Sequence, residues 1–373
     1  MHSLKLASLS LTNVLSFGPA TTRLATHNLN VLIGTNASGK SNLIDVLHLL
    51  QSLPGDATAA IREGGSIREW MWKGLTDCVA SIEVVFSRSP AMPFTHRLEF
   101  APDGPRWRVR NEWVEDLPEA GQPARRHFDS YGATNLRSDQ SVLAQRPDPS
   151  IYPELALIRQ HYGSFRIYRD WTLGRRSEIR RPQPADLPDD LLEPSGQNLA
   201  VILQALRRQP AVWEELLAHM TRFYDGFEGI EVLPQGDLLQ ILVREEGRET
   251  LIPATRLSEG TLRYLALLTI LLHPTPPPLL CIEEPVLGLH PDLIADLAEL
   301  LVNASNRTQL FVTTHSEHLV GALSRWPDAV IIAERGEQGT ELKRLEPERM
   351  RRWLEKYTLG ELWRMGEIGG TRW

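Results

Sequence analysis

The sequence predicts an α/β fold: a mainly parallel sheet core, an antiparallel β meander and an inserted helical lobe. Three observations carry this prediction. Short apolar strands alternate with helical stretches at both ends of the chain, at 28–33, 279–284 and 309–314, the pattern of a parallel sheet covered by helices. Residues 79–114 give three strand-like runs separated by Pro- and Gly-containing turns, which reads as a meander. From about Tyr152 to Tyr224 helical spacing dominates instead, and that period supplies the lobe.

The opening segment LKLASLSLTNVLSFG reads as an edge strand followed by a turn at Gly18 and Pro19. The strand NLNVLI, 28–33, runs directly into glycine. Beyond Ser41 the period changes: Leu43, Ile44, Val46, Leu47, Leu49 and Leu50 recur at helical spacing until Pro54 stops the run. Residues 115–150 are polar and Pro-rich, a connector. The stretch EVLPQGDLLQILVREEGRETLI alternates like a hairpin with turns at Gly236-Asp237 and Gly247. A mostly apolar helix over 261–273, a proline run over 274–278 and the strand LLCIEE follow. A helix near 293–302, the strand QLFVTT, a hairpin around 336–339 and a helical tail complete the chain. Trp353, Trp363 and Trp373 in that tail read as packing residues rather than a docking patch. The expected division is a core lobe of 1–145 and 276–373 carrying the meander, and a helical lobe of 146–275 carrying the hairpin.

Composition narrows the class. Of 373 residues, 42% are hydrophobic and 23% charged, the balance of a globular protein. No apolar run reaches the roughly 18 to 20 residues that a membrane span needs. MHSLKLASLSLTN lacks the charged, apolar and small-residue sequence of a secretion signal. The two cysteines, Cys78 and Cys281, suggest neither a disulfide framework nor a zinc site, and a reducing cytoplasm fits them. A net charge of −7 argues against bulk attraction to polyanions. Locally, Arg166, Arg169, Arg175, Arg176, Arg180 and Arg181 face only Asp170 and Glu178. This stretch is a solvated face on the ordinary reading and a phosphate contact on the sharper one.

Four segments carry chemistry. Gly34-Thr35-Asn36-Ala37-Ser38-Gly39-Lys40-Ser41 fits G-x-x-x-x-G-K-[ST], between an apolar strand and an amphipathic helix. Glycines let backbone N–H groups wrap a phosphate, and the helix dipole adds positive potential. Lys40 is long enough for the β- and γ-phosphates, and the Ser41 hydroxyl suits Mg²⁺. In LLCIEE an apolar strand ends in Glu283 and Glu284, where open α/β sheets bind ligands. Glu283 would hold the metal and Glu284 polarise water. Ser258, Glu259 and Gly260 precede a helix and offer an anion a hydroxyl, N–H groups and a dipole; alone, they are an ordinary N-cap. His315, after QLFVTT, can sense a phosphate oxygen; alone, it is a structural histidine. His290 and His318 are read as structural.

Phosphate loop, LSEGTLRYLALL, IEEPVLGLHPD and TTHS, in that order, resemble the ABC-type ATPase heads of the RecF, OLD and SMC-related branch. NVLSFG is similar to the opening strand and turn of the same group. The resemblance implies a P-loop NTPase that uses ATP and Mg²⁺ and forms a homodimer through composite ATP sites. Gly34, Asn36, Ala37, Ser38, Gly39, Lys40, Ser41 and Asn42 would hold nucleotide in cis, with Glu283, Glu284 and His315 completing the cis set. Ser258 and Gly260 would reach the partner's γ-phosphate. The group also places a metal-contacting glutamine after the meander; Gln140 and Gln145 both lie there, and Gln145 is chosen. Residues 288–292 would speak to the partner's site. Two features depart from the group: no heptad run supports coiled-coil arms, and the sequence ends 58 residues after His315, so no nuclease domain is expected.

What ATP would drive is left between two readings. One is DNA-linked work, genome maintenance or defence against foreign DNA, with a separately encoded effector. The other is a regulatory or scaffold ATPase holding a protein partner without touching DNA. A transporter engine is disfavoured by the middle lobe, the paired glutamates and the lack of a membrane span.

Overall fold

The meander expected at 79–114 is the middle of a six-stranded antiparallel sheet in the computed structural model, which describes residues 4–88, 92–117, 124–131, 133–169, 171 and 173–370. Its order is β2 (Thr22–Ala25), β1 (Leu4–Thr12), β4 (Ala80–Arg88), β5 (Phe94–Asp103), β6 (Arg106–Asp116) and β7 (Arg126–Asp129). The opening strand is therefore not an edge strand. After the turn at Gly18 the chain folds back as β2, which pairs Leu9 with Leu24 and covers that side. Asp170 and Trp373 lie outside the described residues.

The contacts define two units, residues 1–165 with 324–373, and residues 166–323. These bounds do not coincide with the division expected at 145 and 275. The carboxylate strand and its neighbours pack with the inserted segments rather than with the meander. In the first unit, β3 (Leu29–Ile33) is buried along its whole length, as expected for a parallel strand covered on both faces. It feeds α1 (Lys40–Ser52), then α2 (Ala57–Glu63) and α3 (Ile67–Trp70). The connector at 115–150 is more structured than its composition implied. It contains β7 and α4 (Val142–Gln145), followed by α5 (Pro153–Gly163). Buried Glu112 explains this order: its carboxylate accepts from Ser141 Oγ at 2.6 Å and Val142 N at 2.8 Å, and meets His96 Nε2 at 3.0 Å.

In the second unit β8 (Arg166–Tyr168), β13 (Leu279–Glu283) and β14 (Gln309–Thr313) run parallel, with Cys281 between Ile167 and Phe311. A smaller antiparallel sheet joins β9 (Gln183–Pro184), β10 (Phe227–Gln235), β11 (Leu238–Glu245) and β12 (Ile252–Pro253). The helices are α6 (Leu199–Arg207), α7 (Pro210–Phe223), α8 (Glu259–Leu271), α9 (Ile294–Ser305) and α10 (Glu317–Ala322). Thr261 to Leu271 of α8 are all buried, the mark of a helix enclosed on every side. The basic stretch is not simply a solvated face. Its first residues form β8, and Arg180 is buried, whereas Arg175, Arg176 and Arg181 are exposed.

Back in the first unit, β15 (Val330–Gly336) runs parallel to β3 and antiparallel to β16 (Gly339–Arg344). The tail forms α11 (Pro347–Leu354) and α12 (Leu359–Arg364). Trp363 is packed, its Nε1 donating to Gly370 O, but Trp353 is 42% exposed and rests on Tyr357. Among the described residues no helix is long and apolar enough to cross a membrane, and neither cysteine forms a disulfide.

Candidate functional site

The loop from Gly34 to Ser41 lies in the first unit, between β3 and α1. Gly34, Ala37 and Gly39 take positive φ values of 147°, 63° and 103°, which curl the backbone so that successive N–H groups face inward. Side chains have no room at the two glycines. A Cβ at Gly34 would run into Ala333 O, and one at Gly39 into the Thr340 hydroxyl. Thr340 Oγ1 also donates to Ser38 O at 2.9 Å, and Thr340 N donates to Ser16 O at 2.8 Å. The loop is thus buttressed by β16 and by the turn at 13–18. Lys40 is 6% exposed, and its Nζ donates to Gly34 O at 2.8 Å and Thr35 O at 2.9 Å. Ser38 Oγ is buried with no hydrogen-bond partner among the described residues. Asn36, Ala37 and Ser41 are exposed and Asn42 half-buried. Two glycines with no room for a Cβ, a buried hydroxyl with no partner among the described residues and a lysine turned into the loop fit a phosphate chain.

The predicted carboxylates, the serine turn and His315 lie in the second unit. Parallel pairing sets Glu283 opposite Thr313 at the ends of β13 and β14. One residue further, Glu284 N donates to Thr313 O at 3.0 Å, and Glu284 takes φ 45°, left-handed for a non-glycine. The carboxylate consequently turns toward the end of β14. Its Oε2 accepts from His315 N at 3.2 Å, and Oε1 lies 3.8 Å from His315 Nε2. Neighbouring strands therefore bring Glu284 and His315 together although 31 residues separate them. Burial pushes the Cys281 thiol well above its ordinary range, so it acts as an apolar core residue of β13.

Ser258 caps α8: Thr261 N donates to Ser258 Oγ at 3.0 Å. Ser258 and Glu259 are exposed, while Leu257 and Thr261 on either side are buried. The turn is thus presented on a fixed base. Gly260 lies against the loop that follows the carboxylates, near Gly288 O. In that loop His290 caps the 3₁₀ turn Pro291–Leu293 and pairs with Asp292 at 3.3 Å.

Gln145 lies in the first unit at the end of α4. Its Oε1 accepts from Arg137 N at 2.7 Å, and its Nε2 donates to Arg137 O at 2.9 Å and Gln140 O at 3.0 Å. The amide thus ties the loop before α4 to the helix. Arg169 went unread as a site residue. β8 pairs with β13, so the residue after Tyr168 falls beside Glu283, with Arg169 Nε 3.5 Å from Glu283 Oε2. Its signal was present as the second arginine of the basic stretch, but the partner strand was not. Among the described residues no three His, Cys, Asp or Glu side chains converge on a metal position; nucleotide-bound magnesium needs fewer protein ligands than that.

Comparison with known proteins gives the chain a family and its fold a likeness. Residues 29–321 match the family described as "AAA domain, putative AbiEii toxin, Type IV TA system". No curated protein matches the chain by sequence. Among solved structures, an Smc head bound to the C-terminal winged-helix domain of ScpA superposes with a TM-score of 0.62 at 15% identity, covering 92% of this chain and 99% of that one. The Smc head with an extended coiled coil from Pyrococcus furiosus gives 0.59 at 15% identity, over 95% and 99%. At such identity the likeness speaks for fold. The family model spans most of the chain, so the chain belongs to this AAA family, and its fold is that of the Smc ATPase heads.

Proposed function

We propose that the chain hydrolyses ATP, with Mg²⁺, at sites completed by two copies of itself. In this reading Lys40 and the loop from Gly34 to Asn42 hold the triphosphate, and Ser41 and Glu283 hold the metal, with Gln145 as a further contact. Glu284 orients and deprotonates the attacking water, and His315 responds to the γ-phosphate. Ser258 and Gly260 meet the nucleotide of the other copy. Phosphoryl transfer needs mainly positioning and electrostatics, which such groups supply.

The observation that carries the reading is the Glu284–His315 pair: a carboxylate in left-handed backbone, 3.8 Å from an imidazole, at the ends of adjacent parallel strands. An acidic strand end that merely faces solvent has no use for that strain. The two-copy form is supported by the exposed Ser258–Glu259 turn and by Leu287, 62% exposed on the loop that touches Gly260. Glu284→Gln tests it: this variant binds ATP, barely turns over and accumulates as a dimer on gel filtration. ATP-bound Glu284→Gln that stays monomeric would overturn the two-copy form.

Hydrolysis in this reading drives DNA-linked work in the cytoplasm, genome maintenance or defence against foreign DNA, through a separately encoded effector. Exposed Arg175, Arg176 and Arg181 on one loop support a phosphate-backbone contact. Salt-sensitive DNA binding that Arg175→Glu with Arg176→Glu abolishes is the expected result. A second reading, a scaffold ATPase gripping a protein, is favoured by the exposed Trp353–Tyr357 pair, rings 6.4 Å apart. The Smc head of the comparison is itself bound to a domain of ScpA. A partner that co-purifies after nuclease treatment, and is lost with Trp353→Ala, would decide for this one.

A further inference from the structure

We infer that Arg180 is a positioning residue for the Ser258 turn, fixing the geometry in which one copy offers that serine to the other's nucleotide. The inference rests on the two-copy reading above.

Arg180 is 5% exposed, and among the described residues it forms no ion pair. Its guanidinium bonds three backbone carbonyls instead: Nε donates to Leu173 O at 2.8 Å, and Nη1 to Leu257 O at 2.6 Å and Ala254 O at 3.3 Å. A buried cation on neutral acceptors is an expensive way to gain stability, because an apolar side chain of similar length avoids the desolvation. What the arrangement does provide is direction. A planar guanidinium donates along fixed axes, so the carbonyl that directly precedes Ser258 is held in one orientation. Ser258 then stands extended, φ −69° and ψ 160°, with its hydroxyl at Thr261 N.

The arginine is itself braced. Ser177 N and Oγ both donate to Gly174 O, at 2.9 and 2.7 Å, and Arg180 N donates to Ser177 O at 3.2 Å. The 3₁₀ turn Glu178–Arg180 follows from these bonds. Upstream, Trp171 lies 5.6 Å from the Arg263 guanidinium of α8, and Arg169 meets Glu283 at 3.5 Å. Arg169 thus meets the metal-side carboxylate, and Arg180 the carbonyl beneath the exposed serine turn. Nothing in the order of the motifs implies these two contacts.

The test is complementation in trans. Arg180→Met alone should bind ATP through its own phosphate loop with near-normal affinity but lose about tenfold or more in turnover. Mixed with Lys40→Ala, it should recover. In a two-fold dimer each mixed pair holds one site with an intact loop and an intact serine turn, so the mixture rises toward roughly a quarter of wild type. Arg180→Lys keeps the charge but not the planar fork, and should fall between Arg180→Met and wild type in the same assay. It also serves if Arg180→Met does not fold. Ser258→Arg mixed with Lys40→Ala is the control. If the control recovers and neither Arg180 variant does, Arg180 acts on its own copy's site or on folding, and the assignment is wrong. If the control also fails, the two-copy reading falls, and the inference with it.

Discussion

Gly260 and Gly288 lie backbone to backbone: a Cβ added at Gly260 would sit 2.6 Å from the Gly288 carbonyl oxygen. Gly288 itself has φ 77°. Gly260→Ala must therefore push the loop after the carboxylates away from the serine turn. We expect turnover to fall by about a hundredfold, the scale of a lost transition-state donor, while ATP affinity stays within a few-fold. Parallel measurement of nucleotide binding and steady-state hydrolysis checks this. Equal losses in both would mean that the alanine harms the fold instead.

The buttress under the phosphate loop gives a graded pair. Gly39→Ala combines a left-handed φ of 103° with a collision at the Thr340 hydroxyl and should abolish nucleotide binding. Thr340→Val removes the hydroxyl that holds Ser38 O. It should cost about 1 kcal/mol of stability, the net worth of one hydrogen bond, and weaken binding a few-fold. Calorimetric titration with ATP and thermal unfolding separate the two effects.

His315→Ala leaves the phosphate loop intact and takes away the imidazole beside Glu284. Single-turnover hydrolysis should slow by about a hundredfold, the scale of one lost donor to developing charge, with ATP binding unchanged. If binding collapses as well, the histidine supports structure rather than chemistry.

These expectations also show what could be read from the sequence. The phosphate loop, the strand-end carboxylates and the serine cap were legible because each is local: a few adjacent residues dictate the turn, the strand end or the cap. Arg180 was not, because its meaning depends on carbonyls 74 and 77 residues later. Arg169 acquires its place only when β8 lies beside β13. β1 looked like an edge because its cover, β2, is four residues long and follows a turn. The connector at 115–150 looked unstructured because Glu112, which orders it, lies on the preceding strand and is buried against it.

His161 offers a test by pH. Burial pulls its pKa down to about 4, and its ring packs edge-on against Phe86 and Phe165. The unfolded chain takes up this proton near the ordinary value of about 6.5. Stability from His161 is thus complete above that pH and is lost as the solution is acidified toward pH 4, up to about 3 kcal/mol. Replacing it with phenylalanine keeps the apolar packing and removes the titration. His161→Phe should lose less stability than wild type as pH falls from about 6.5 to about 4, the slope that remains belonging to other groups such as His273, whose pKa burial also lowers. Denaturant titrations across that window check the slope.

Thr340 and β15 carry a consequence for biosynthesis. The phosphate loop is translated well before its brace: the hydroxyl that locks Ser38 and the strand that flanks β3 come some three hundred codons later. Ribosomes deliver the cradle first and its brace last. A chain still emerging from the exit tunnel therefore carries the loop without the hydroxyl and the strand that brace it, and the loop is held in its final form only once residue 340 has been made.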